Sequence, residues 1–90
     1  TTVTLTNNDY TVIMNSGTTK VLFPAFVDWE YDKKWVFVNR TGSAITLRNN
    51  ADSATVQYQT ITGGTSTTIA ANTSVTIQYH GASGVLYQIH

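Results

Sequence analysis

Along most of the chain apolar and polar residues alternate, and the alternation breaks at short intervals on clusters of Gly, Asn and Ser. In an extended strand successive side chains point to opposite faces, so this pattern predicts strands with one covered face and one solvated face. Val3 and Leu5 alternate with Thr2, Thr4 and Thr6 before Asn7-Asn8-Asp9 turns the chain. Tyr10 to Met14 ends at Asn15-Ser16-Gly17, residue types that tolerate the left-handed backbone of a tight turn. Thr19 to Phe23 follows and stops at Pro24, which has no N–H to give to a ladder. Trp35-Val36-Phe37-Val38 is apolar at successive positions, so both faces should be covered, inside a sandwich or between subunits; it is the expected central strand. Ala44 to Arg48, Ser53 to Gln59, Thr67 to Ala70, Ser74 to His80 and Gly84 to His90 complete the set. A long excursion is expected between Asn49 and Thr65, and a closing hairpin through Gly81-Ala82-Ser83-Gly84. About eight short strands at regular spacing predict an all-β fold, a small antiparallel β-sandwich or barrel, as one domain over residues 1–90.

Composition narrows the function. With 41% apolar and only 11% charged residues the chain lies outside the range of disordered segments. Five basic residues balance five acidic ones, so a nucleic acid finds no basic footprint and copies of the chain do not repel one another. Cysteine is absent, which removes the disulfides that small extracellular domains commonly use and makes oligomerisation the expected substitute. No apolar run is long enough to cross a bilayer, so no membrane insertion is expected. The opening Thr-Thr-Val-Thr-Leu-Thr has neither the basic end nor the apolar middle of a signal peptide. The chain is read as a fragment of a longer protein.

Catalytic chemistry finds little to use. His80 and His90 are expected at matching positions of adjacent strands, which is a surface or interface pair and not a metal-ligand spacing. Asp28, Glu30 and Asp32 form the one acidic cluster, too tightly spaced for the separated carboxylates of a glycoside hydrolase. They also lack the Gly that a tight calcium loop wants, so solvated loop charges are the default and no metal or cofactor is expected. Trp29 and Tyr31, interleaved with those carboxylates, carry the chemistry of a sugar site: an aromatic face stacks on a pyranose while carboxylates accept its hydroxyl hydrogens. Against this stands the simpler reading, favoured here, that Phe26 and Trp29 plug the end of the core. Tyr58 with Asn49, Asn50 and Asp52 forms a second candidate, whose simpler reading is a mobile polar connection. Asn39-Arg40-Thr41 and Asn72-Thr73-Ser74 match the N-glycosylation acceptor, a match that arises by chance in a chain this rich in Asn and Thr.

The order of these segments resembles small β domains of bacteriophage tail-fibre and tail-spike proteins. The likeness rests on Gly17-Thr-Thr-Lys-Val-Leu-Phe-Pro-Ala25, on Trp35-Val-Phe-Val-Asn-Arg-Thr-Gly-Ser-Ala-Ile-Thr-Leu47, on Thr68-Ile-Ala-Ala-Asn-Thr-Ser-Val-Thr-Ile-Gln-Tyr79, and on the closing His80-Gly-Ala-Ser-Gly-Val-Leu-Tyr87. Two departures are visible: Leu86-Tyr87 stands where such domains usually carry a Trp, and residues 49–65 are longer than the pattern expects. The resemblance implies a virion component outside the capsid, usually a homotrimer, that builds a fibre or contacts a host-surface glycan or protein. The alternative is a monomeric carbohydrate-binding module of a secreted bacterial protein. In either case the expectation is a binding or structural module and not an enzyme.

Overall fold

The computed structural model describes residues 2–6, 11–25, 29, 32–81 and 84–90. The described residues contain no helix and ten strands: β1 (Thr2–Thr4), β2 (Thr11–Met14), β3 (Lys20–Leu22), β4 (Lys34–Asn39), β5 (Ile45–Arg48), β6 (Tyr58–Gln59), β7 (Thr65–Ser66), β8 (Thr68–Ile69), β9 (Ser74–His80) and β10 (Val85–Gln88). They build a four-stranded sheet in the order β1-β3-β5-β8 and a six-stranded sheet in the order β2-β4-β9-β10-β6-β7. The all-β, two-layer architecture expected from the alternation is present.

The pairing corrects the expectation of antiparallel sheets. β1 runs parallel to β3, β3 to β5, β2 to β4 and β6 to β10. From β1 to β5 each strand lies in the opposite sheet from its predecessor. Each such connection changes layer, and the next one returns the chain beside the strand it left two elements earlier, pointing the same way. Asn15-Ser16-Gly17 is the tight turn predicted, with Gly17 at φ 95° and Thr18 N–H donating to the Asn15 carbonyl at 3.1 Å. It passes the chain between layers instead of folding it back as a hairpin. β9 and β10 do form the predicted hairpin, with Leu86 opposite Tyr79 and Gly84 at φ 69°. Of the strand expected over Ser53 to Gln59, only Tyr58–Gln59 is a strand, preceded by an isolated bridge between Thr55 and Arg48.

Alternation decides what each strand contributes to the core. Val12 and Met14 of β2, Trp35 and Phe37 of β4, and Val75, Ile77 and Tyr79 of β9 face inward from the six-stranded sheet. Val21, Ile45, Leu47 and Ile69 meet them from the other layer, all in one contiguous cluster. Each such side chain contributes roughly 1.5–3 kcal/mol relative to exposure. Phe23 ties the layers together, its ring 5.2 Å from Trp35 and 5.7 Å from Phe37. β4 is interior as expected, between β2 and β9, but its two faces differ. Trp35 and Phe37 are buried, whereas Val36 and Val38 on the outer face are half-buried.

One buried polar side chain organises the turn after β4. Asn39 is 1% exposed and makes every hydrogen bond its amide can make. The two hydrogens of its Nδ2 are shared among the carbonyls of Ser43, Ile69 and Ala70 at 2.9, 3.0 and 3.1 Å, one of them bifurcated, and its Oδ1 accepts from Thr41 N–H and Thr41 Oγ1–H. Asn39 thereby fastens the Arg40–Ser43 turn to the strand end at Ile69–Ala70. An acceptor amide that is buried and fully engaged cannot be glycosylated in the folded chain, so this match to the acceptor motif is structural.

A cleft at the end of the sandwich

The chain leading into β6 changes layers, and that crossing opens a cleft. Val56 N–H donates to the Leu47 carbonyl at 2.9 Å, and Thr55 bridges Arg48, so residues 55–56 belong to the edge of β5. Two residues later Tyr58–Gln59 forms β6 beside β10, in register at a single pair, Gln59 with Tyr87. Beside this crossing lies a cleft of about 240 Å³ lined by Trp29, Val56, Gln57, Tyr58, Gln59, Gly84, Val85 and Leu86.

Two of the predicted site residues meet here. Trp29 is half-buried, its Nε1 donating to the Pro24 carbonyl at 2.9 Å. Its ring packs against Phe23, Trp35 and Tyr79 at centroid distances of 5.7, 5.6 and 5.2 Å. The indole therefore plugs the end of the core, as the simpler reading has it, and also walls the cleft; Phe26, named with it in that reading, lies outside the described residues. Tyr58 is 4% exposed, and its hydroxyl donates to the Thr68 carbonyl at 2.8 Å. Both rings are locked by packing and by a hydrogen bond; half-buried Trp29 keeps an accessible face, whereas Tyr58 is nearly sealed and leaves little of its ring open. Gln57 and Gln59, exposed and half-buried, add carboxamides that both donate and accept.

The remaining candidates fall elsewhere. Asp28, Glu30 and Tyr31 lie outside the described residues. Asp32 is exposed at φ 63°, its backbone engaged by Tyr79 and Gln78, and it does not line the cleft. Asn50 is exposed in the turn after β5, and Asp52 of the same turn lines a separate depression with Lys20 and Arg48. The grouping of Tyr58 with Asn50 is thus corrected: the turn after β5 closes on itself, and Tyr58 joins Trp29. That turn is ordered by Asn49, whose Oδ1 accepts from Ser53 N–H at 2.9 Å, and by Asp52 at φ 54°.

Asp52 accepts hydrogen bonds from Lys20 Nζ and from Arg48 Nε, the latter at 2.8 Å, and Arg48 also donates to the Asp52 carbonyl at 3.0 Å. The hydrogen bonds from Lys20 and then Arg48 hold the Asp52 carboxyl below the usual carboxylate range.

The histidines are not matched across the hairpin. His80 stands opposite Val85 with its ring 5.9 Å from Tyr87, whereas the His90 carbonyl lies against Thr76 at the other end. No group of three or more His, Cys, Asp or Glu gathers among the described residues.

Gln57, Gln59, Val56 and Leu86 escaped the sequence reading. The pattern Gln-Tyr-Gln carried no mark beyond that of an ordinary alternating strand. The chain matches no protein-family model, no curated protein and no solved structure.

Proposed function

We propose that this domain is a glycan-binding module that contacts a host surface as part of a phage tail fibre. The carrying observation is the cleft that sets Trp29 and Tyr58 beside the carboxamides of Gln57 and Gln59. Rigid aromatic surface takes the apolar face of a sugar ring, and paired donor–acceptor amides take its hydroxyls. At about 240 Å³ the cleft is smaller than the ~300–1,000 Å³ typical of small-molecule sites, which favours one sugar ring at a chain end. The fibre setting rests on the resemblance of the ordered segments, and the secreted carbohydrate-binding module would use the same cleft.

A glycan array followed by titration of tryptophan fluorescence tests the reading. A ligand entering the cleft touches Trp29, so its emission should shift on binding. Gln57 is exposed, so Gln57→Ala should leave the melting temperature unchanged while weakening the array-selected glycan about tenfold, the loss of one or two hydrogen bonds. Full affinity in a Gln57→Ala, Gln59→Ala double variant, or no glycan bound by the wild type, would refute it.

A further inference from the structure

Resting on the glycan reading, we infer that the ligand is a linear acidic chain, whose rings continue from the cleft across the outer face of the six-stranded sheet along Gln59, Tyr87, Gln78 and Lys34. Strand register puts these four residues in one line. Gln59 of β6 pairs with Tyr87 of β10, Tyr87 with Gln78 of β9, and Gln78 with Lys34 of β4. Residues paired across a ladder point to the same face, and the chain neighbours Tyr58, Leu86, Tyr79 and Trp35 are buried on the inner one. The line therefore lies on the outer face and crosses β6, β10, β9 and β4 in the order of the sheet. It starts at the cleft: Gln59 belongs to both, and Val85 of the cleft shares the outer face of β10 with Tyr87.

The side chains along the line fit a sugar chain. Tyr87 is 39% exposed, an aromatic surface in the middle of a polar row. His80 packs against it at 5.9 Å and near a right angle, a contact that steadies the ring. Carboxamides flank it on both sides, Gln59 and Gln78, and each both donates and accepts. Gln78 Nε2 donates to the Asp32 carbonyl at 3.2 Å, which orients the amide and leaves Oε1 to accept. Gln59, Tyr87 and Lys34 make no side-chain hydrogen bond among the described residues, so their polar atoms are left to meet hydroxyls and charge. Paired strands lie about 4.8 Å apart, close to the advance of one ring in an extended glycan, so the three steps from β6 to β4 hold about three rings beyond the one in the cleft.

Charge sets the class of chain. Lys34 ends the line, and the six strands of this sheet hold no Asp or Glu. Its ammonium has no ion-pair partner among the described residues, whereas Lys20 and Arg48 on the other layer are both engaged by Asp52. A lone cation closing an otherwise uncharged row attracts a ligand that brings a carboxylate to that point, and a uronic acid ring does so.

Calorimetric titration of the ninety-residue chain tests this with mannuronate, its β-1,4-linked dimer, tetramer and hexamer, and neutral β-1,4-mannotetraose. Affinity should rise from mannuronate to the tetramer and level off at the hexamer. Tyr87→Ala, with the circular dichroism of the wild type, should weaken the tetramer about tenfold and leave mannuronate unchanged. Lys34→Gln should weaken the tetramer about threefold and flatten its dependence on salt, while the neutral tetramer binds both proteins alike. Binding of neither length, a tetramer held no tighter than mannuronate, a length gain that survives in folded Tyr87→Ala, or an equal gain for mannotetraose would overturn the proposal. Gln57→Ala separates the two sites. If it weakens mannuronate and tetramer alike where no length gain exists, the cleft stands without the row; if it changes neither while Tyr87→Ala removes the gain, the row stands and the cleft falls.

Discussion

At the scale of single residues, two polar groups carry opposite kinds of consequence. Asn39 is buried and engages five donors and acceptors, so Asn39→Ala strands carbonyls of Ser43, Ile69 and Ala70 away from water. The expected cost is about 3 kcal/mol, read from urea unfolding, because buried unsatisfied groups lose their full hydration. Asn39→Asp should cost more, since it points a carboxylate at three carbonyl oxygens. Asp52, by contrast, is a surface carboxylate whose worth shows as pH dependence. The hydrogen bonds from Lys20 and Arg48 hold its folded-state pKa below the ordinary carboxylate value, so the folded chain holds the proton less tightly than the unfolded one. The stabilisation is therefore complete above the unfolded value and is lost as pH falls from about 4 through the folded pKa. Asn tolerates the left-handed backbone at this position, φ 54°, so Asp52→Asn removes the charge without adding strain. Melting temperatures of wild type and Asp52→Asn should differ near neutrality and converge below about pH 4; a constant gap would show that the Lys20 and Arg48 contacts carry no charge-dependent stability.

At the scale of elements, sequence and structure agree where local physics decides and part where it does not. The inward faces of β2, β9 and β10 were legible because a period of two fixes faces whatever the neighbouring strand is, whereas the unbroken apolar run of β4 hid which of its faces is the inner one. Gly17 and Gly84 marked real turns because both backbones take positive φ. Which sheet each strand joins was not legible. Alternation is identical whether a turn folds the chain back or carries it across to the other layer, so parallel pairs such as β2 with β4 had no signature. The cleft was half legible for the same reason. Trp29 and Tyr58 each stood out as large aromatics in polar surroundings, but their meeting depends on Val56 being tied to Leu47 on the opposite layer. Such a contact between separated segments leaves no mark in either. Asn39 looked like an acceptor in a glycosylation motif, and only its burial shows it to be a fastener.

At the scale of the whole molecule, the winding path governs how the fold is reached. Between β1 and β5 no strand pairs with its neighbour in the chain, so each pairing there must close a loop that contains an entire strand of the other layer. Closing such loops costs entropy before the contacts reward it, and refolding is expected in the millisecond-to-second range of sheet proteins with distant pairings. The hairpin of β9 and β10, with four registered pairs, is the longest pairing between consecutive strands and can form early. Leu86→Ala should cost about 2–5 kcal/mol and act largely by slowing refolding, since Leu86 packs inside that hairpin. Val12→Ala removes a buried side chain from the β2–β4 pairing, which needs the winding complete, and should act largely by speeding unfolding. Trp35 and Trp29 sit 5.6 Å apart at the end of the sandwich, so stopped-flow tryptophan fluorescence follows the closing of the two layers directly. Equal division of both losses between the two rates would mean that the hairpin and the wound strands assemble together, and that the order argued from loop closure does not hold.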